Sequence, residues 1–208
     1  MSYLESKYSN QVSAKLSEDQ LAPAQVVDLN FTVNQGEVSL SWAAVTKNAD
    51  GSDLTDLAGY RIYRKGNSND TLELVGSVPS DQLSYSDTSA KDGASYLYAV
   101  SAIDNAEVPN ESEKSTELVV KTIPSIPTGL TSSATKEAIV LNWVSVKSET
   151  ETKLNENLAG YNIYRSQSEK NGFEKIANVS SGQTSYEDTE VVLGQTYYYV
   201  VTSFDDSI

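Results

Sequence analysis

Cysteine and histidine are both absent from these 208 residues. Their absence removes thiolate and imidazole metal sites, a Cys nucleophile, a Ser/His/Asp triad and any disulfide framework. Basic residues are scarce, 15 Lys and Arg against 29 Asp and Glu, and the net charge of -14 repels phosphate backbones and anionic lipid. Nucleic acid is therefore not an expected partner. Long apolar runs are missing as well. Nothing approaches the roughly 18 to 20 residues of a membrane span, and Met1-Ser2-Tyr3-Leu4-Glu5 is not a basic-then-apolar signal segment, so no membrane insertion is expected. The phrases Gly-x-x-x-x-Gly-Lys-Ser/Thr, Gly-x-Gly-x-x-Gly and Gly-x-Ser-x-Gly do not occur, and no Asp/Glu pair sits in a phrase that suggests a cleft with a raised pKa. No reaction class, catalytic residue or cofactor is expected.

What the chain does contain is repetition. Trp42 recurs as Trp143, Leu57-Ala58-Gly59-Tyr60 as Leu158-Ala159-Gly160-Tyr161, and Ile62-Tyr63-Arg64 as Ile163-Tyr164-Arg165. Ser84-Tyr85, Asp87-Thr88, Gly93, Tyr96, Tyr98 and Asp104 recur as Ser185-Tyr186, Asp188-Thr189, Gly194, Tyr197, Tyr199 and Asp205. Each pair is offset by 101 (143 minus 42; 205 minus 104), so the copies align without an insertion. Within a copy the apolar residues alternate, as in Val38, Leu40, Trp42 and Tyr96, Tyr98, Val100, and Asn/Asp/Gly-rich turns separate the runs. Many short strands and no helical pattern specify an all-β fold of two sandwiches.

These residues resemble fibronectin type III domains, particularly the bacterial kind found in secreted and surface proteins. The likeness rests on Trp42 and Trp143, on Leu-Ala-Gly-Tyr-x-Ile-Tyr-Arg, on Ser-Tyr-x-Asp-Thr, on Gly-x-x-Tyr-x-Tyr (Gly93 to Tyr98; Gly194 to Tyr199) and on Glu-Ser-x-x-Ser (Glu111 to Ser115). It implies immunoglobulin-like β-sandwiches in tandem, and an extracellular or cell-surface location. It also gives the first Tyr of strand F the tyrosine-corner role. The fold hosts many unrelated roles, so it says little about a ligand.

Compared strand by strand, the copies differ. Copy one finishes with a strand G, from Glu111 to Thr122, whereas copy two stops at Phe204-Asp205-Asp206-Ser207-Ile208, after strand F. The opening residues Glu5 to Lys15 repeat the pattern of Glu111 to Lys121. The expected divisions are a strand-G-like segment at 1-16, a linker at 17-22, domain 1 at 23-122 and domain 2 at 123-208. From Asp104 to Glu111 the step is 7, and from Asp205 through Ile208 to Ser2 and on to Glu5 it is also 7 when Met1 is discounted. The slack from Leu16 to Ala22 spans at most about 25 Å, less than a domain. A neighbouring copy therefore fills the gap more easily than the same chain does. The expected donor is Leu4, Glu5, Ser6, Tyr8, Gln11 and Val12, the expected acceptor Tyr197, Tyr199, Val201 and Ser203, and the product a head-to-tail filament or ring. The plain alternative is an excerpt of a longer array.

The remaining candidates are weaker. Asp50, Asp53 and Asp56 crowd one loop, but the spacing departs from a calcium-binding EF-hand loop and a solvated loop is the simpler reading. Trp42, Trp143, Tyr96, Tyr98, Tyr197 and Tyr199 lie on the inward phase, and Tyr63, Tyr164 and Tyr198 on the outward one, which makes the latter three the candidate ligand face. Asn30, Asn69, Asn110 and Asn178 match the short glycosylation pattern, and Arg-Gly-Asp is absent. Together with the missing catalytic motifs, the resemblance implies a non-catalytic structural or spacer module pair of an extracellular or surface assembly, with other copies of itself or neighbouring domains of the same chain as partners. The alternatives are a carbohydrate- or protein-binding accessory module of a secreted enzyme, and a displayed domain of a virion or surface layer.

Overall fold

A computed structural model describes residues 7–13, 20–66, 70–146, 155 and 157–205, and all regular structure among them is β. The first sandwich contains β1 (Asn30–Asn34), β2 (Glu37–Ser41), β3 (Leu57–Lys65), β4 (Glu73–Pro79), β5 (Ser84–Asp87), β6 (Ser95–Asp104) and β7 (Leu118–Lys121). The second contains β8 (Thr128–Ala134), β9 (Ile139–Val144), β10 (Leu158–Ser166), β11 (Glu174–Ser180), β12 (Ser185–Asp188) and β13 (Tyr198–Asp205). In the first, a β1-β2-β5 sheet faces a β4-β3-β6-β7 sheet; in the second, β12-β9-β8 faces β11-β10-β13. All pairings are antiparallel. This is the two-sheet order of a fibronectin type III sandwich, with four strands in the larger sheet of the first copy and three among the described residues of the second.

Alternation builds each core. Val38, Leu40 and Trp42 from one sheet meet Tyr60, Ile62, Tyr98, Val100 and Val120 from the other. Leu141 and Trp143 meet Tyr161, Ile163 and Val201 in the second sandwich. Trp42 and Tyr60 pack edge to face at 5.3 Å, and Trp143 and Tyr161 do the same at 5.4 Å. This geometry favours the ring quadrupoles. The repeated Gly of Leu-Ala-Gly-Tyr has a steric reason. A Cβ on Gly59 would lie 2.2 Å from the Val78 carbonyl oxygen, and one on Gly160 would lie 2.1 Å from that of Val179. Each glycine also sits beside a register shift in its strand, where backbones approach closely.

The donor and acceptor segments have contrasting environments. Leu4, Glu5 and Ser6 lie outside the described residues, while Tyr8, Gln11 and Val12 belong to a stretch with no strand, in which Tyr8 is 100% exposed and Val12 82%. Tyr199, Val201 and Ser203 lie on β13, with Tyr197 immediately before it. β13 pairs with β10 on one side, and on its other side the described residues add no strand.

Candidate functional site

The titratable groups with the clearest shifts belong to networks that hold the sandwiches together. Arg64 on β3 reaches across to Asp87 at the end of β5 at 2.6 Å, where Tyr98 donates its hydroxyl at 2.8 Å and Ser89 donates both backbone N–H and Oγ–H. The carboxylate is almost fully buried. Burial alone would raise the Asp87 pKa, but the bonds from Ser89 and Tyr98 and the charge of Arg64 outweigh it, and the net shift is downward. Tyr98 is pushed far upward by burial and by its bond to the Asp87 carboxylate. The second sandwich repeats the arrangement: Arg165 contacts both oxygens of Asp188, Tyr199 donates at 2.7 Å, and the Glu190 N–H completes the shell. Burial and the bond to Asp188 likewise raise Tyr199. Tyr96 and Tyr197 are the corner tyrosines, accepting the Lys91 and Val192 N–H at 3.0 and 3.1 Å.

The outer faces of the two larger sheets are finished differently. In domain 1, Glu111 accepts from Arg61, Tyr63 and Ser101, and Lys114 stands 4.2 Å over the Tyr63 ring. Burial raises the Glu111 pKa and the three donors lower it, with a net downward result. Beside this cluster, Ser112 and Ser115 stitch the segment to β6. Their N–H groups donate to the Ala102 and Val100 carbonyls, while their hydroxyls accept the Ala102 and Val100 N–H at 2.9 and 3.0 Å. In domain 2 the corresponding positions are Asn162, Tyr164 and Thr202, with Tyr198 and Val200 beside them on β13. Tyr164 and Tyr198 are half-buried, and the Asn162 Oδ1 is buried with no hydrogen-bond partner among the described residues. The three tyrosines of the candidate ligand face therefore do not act alike, since Tyr63 is engaged by Glu111 and Lys114.

In the loop after β2, Asp50 accepts from the N–H and hydroxyl of Ser52, and Asp53 pairs with Lys47 at 2.5 Å. The Asp56 carbonyl accepts the Asn105 N–H. Among the described residues no group of three or more carboxylates is placed to hold a metal ion.

Topology and the recurring phrases together define the class: two β-sandwiches in tandem with the strand order of fibronectin type III domains. The chain is 27% identical over 197 residues to Exoglucanase B of Cellulomonas fimi, across 91% of this chain and 16% of that protein. It is 35% identical over 108 residues to the amylopullulanase of Thermoanaerobacter thermohydrosulfuricus, across 52% of this chain and 6% of that enzyme. The chain thus spans well under a fifth of the length of these relatives. Among solved structures it is similar to a two-domain fibronectin type III segment of chicken tenascin, at 15% identity and a TM-score of 0.48, covering 86% of this chain and 91% of that one. It is also similar to the chicken CNTN1 FN1–FN3 domains, at 15% identity and a TM-score of 0.40, covering 88% and 63%. No family model matches the chain.

Proposed function

We propose that the chain is a pair of non-catalytic spacer modules within a longer extracellular bacterial protein, where it sets the distance between other working parts. The observation that carries this reading is what the buried carboxylates and their tyrosine and arginine partners are used for. Asp87, Tyr98, Glu111 and Tyr199 all take part in hydrogen-bond networks that hold strands together. A general acid or base needs instead to face a substrate. The relatives support an accessory role, because the matched stretch is a small share of proteins named exoglucanase and amylopullulanase. The parent is accordingly proposed to be a polysaccharide-degrading enzyme. Incubating the purified chain with insoluble cellulose and with starch tests both halves of the statement. The expected result is no released reducing sugar and no depletion from the supernatant, and sugar release overturns the non-catalytic reading.

One observation favours a second reading, a carbohydrate-binding module. Tyr164 and Tyr198 share the outer face of domain 2 with the Asn162 Oδ1, which has no hydrogen-bond partner among the described residues. Depletion by one polysaccharide that disappears in Tyr164→Ala and Tyr198→Ala would establish this reading over the spacer.

Within the spacer reading, neighbouring copies join by strand donation, residues 4 to 15 of one chain lying along the Tyr197 to Ser203 edge of the next. Support comes from the way Glu111-Ser112-x-x-Ser115 stitches β6. Glu5-Ser6-x-x-Ser9 carries the same pattern, and Tyr8 falls where Lys114 stands over Tyr63, so in a donated strand it would face Tyr164. A peptide of residues 3 to 15 is expected to raise the urea midpoint of domain 2, followed by Trp143 fluorescence in a Trp42→Phe background. The same peptide carrying Ser6→Ala and Ser9→Ala is expected to do less. No shift with either peptide overturns donation.

A further inference from the structure

The segment between the sandwiches, Thr122 to Pro127, is pinned from both sides. Thr122 donates its N–H to the Ala94 carbonyl, its Oγ accepts the Ala94 N–H at 2.8 Å, and the Ile123 carbonyl accepts the Gly93 N–H at 2.7 Å. These bonds fasten the start of the segment to the loop that leads into β6. Three residues on, Ser125 belongs to domain 2, where its carbonyl accepts the Ser203 hydroxyl from β13 at 2.6 Å. Pro124 and Pro127 restrict the backbone between and after these attachments.

Asn155 closes the joint. Its Oδ1 accepts the Ser125 N–H, its Nδ2 donates to Ser125 Oγ at 3.1 Å and to the Val146 carbonyl at 2.8 Å, and its backbone N–H donates to the Gly93 carbonyl of domain 1 at 2.5 Å. One side chain, 5% exposed, therefore uses both amide hydrogens and its oxygen to connect the linker with domain 2, while its backbone grips domain 1. A buried amide with all of these bonds made specifies a single arrangement, since any other leaves polar groups unpaired. Its φ of 55° lies in the left-handed region, which asparagine tolerates better than most residues. Gly93 is matched to it. Gly93 has φ 69°, and a Cβ there would meet the Asn155 Oδ1 at 1.9 Å, whereas the equivalent Gly194 has nothing within 4 Å. The space remaining at the junction is about 20 Å³, enough for one water at most.

The repeat isolates the feature. At the offset of 101, Asn155 corresponds to Leu54 (155 minus 101), an apolar residue that packs on the core of its own domain. We infer that Asn155 is a positioning residue that clamps the two sandwiches at one angle, so that the pair behaves as a rigid strut. Its purpose rests on the spacer reading, but its geometry can be tested separately from sugar binding or chain assembly.

Residual dipolar couplings of the two-domain chain provide the test. Wild type is expected to fit one alignment tensor for both domains, and Asn155→Ala to require two, with each domain's own couplings preserved. Gly93→Ala approaches the same contact from domain 1 and is expected to change the relative orientation even if Asn155→Ala folds poorly. Independent tensors in wild type overturn the clamp. So does an unchanged orientation in a folded Asn155→Ala variant or in Gly93→Ala. Depletion of the chain by starch or cellulose would defeat the spacer reading and leave the clamp standing.

Discussion

Domain 1 and domain 2 share their buried aromatic pair and their Arg–Asp–Tyr network, yet finish their larger sheets differently. In domain 1, Val120 on β7 fills the core while Glu111, Ser112 and Ser115 occupy the polar groups along β6 and on its outer face. In domain 2 the described sheet ends at β13, and the outer face presents Tyr164, Tyr198 and Asn162. The difference separates two requirements of a β-sandwich. Side chains of the inner strands define the fold, but an edge strand also needs partners for its backbone, and those come from whichever segment lies beside it.

The largest expected effect tests what the domains share. Asp87→Ala and Asp188→Ala each remove a buried carboxylate and leave a half-buried arginine and a tyrosine hydroxyl without it, and each should cost its own domain about 3–5 kcal/mol, measured by urea unfolding with Trp42 or Trp143 as reporter. A large cost in only one domain would break the symmetry. The same network predicts a pH window for domain 1. Asp87 has a lowered folded pKa, so its contribution is present above the unfolded value of about 4 and is lost as pH falls below it. Tyr98 has a raised folded pKa, so its contribution is complete below the unfolded value of about 10 and is lost as pH rises above it. Asp87→Asn should flatten the acid limb, and Tyr98→Phe the alkaline one.

An intermediate effect tests what differs. Ser112→Ala and Ser115→Ala leave the Ala102 and Val100 N–H groups without their hydroxyl acceptors, at about 1–3 kcal/mol each. The loss should appear in the unfolding curve reported by Trp42 and be absent from the one reported by Trp143. Smallest are the corner tyrosines. Tyr96→Phe and Tyr197→Phe each remove one neutral hydrogen bond to the backbone, worth about 0.5–1.5 kcal/mol, and the two values should agree.

Much of the fold was legible because it is written twice. The phrase Leu-Ala-Gly-Tyr-x-Ile-Tyr-Arg located β3 and β10, and its glycine has a steric reason visible only with the neighbouring carbonyl in place. Alternation assigned Trp42 and Tyr98 inward correctly, but it passed over Tyr60 and Tyr161, which are fully buried and accept the Val45 and Val146 N–H. Their hydroxyls find partners in loops, and a period-two pattern carries no information about loops. Asp87 and Asp188 appeared only as members of a recurring phrase, because their burial depends on an arginine 23 residues earlier in the chain. Asn155 was hidden for the opposite reason: it departs from the repeat, and departures at the offset of 101 were the available signal.

Light scattering on the full chain over a wide concentration range tests the assembly reading most directly. The account predicts a mass that rises with concentration above that of one chain, and a rise that Ser6→Ala with Ser9→Ala suppresses while both tryptophan-reported domains stay folded. A constant single-chain mass from a fully folded protein at every concentration would contradict it.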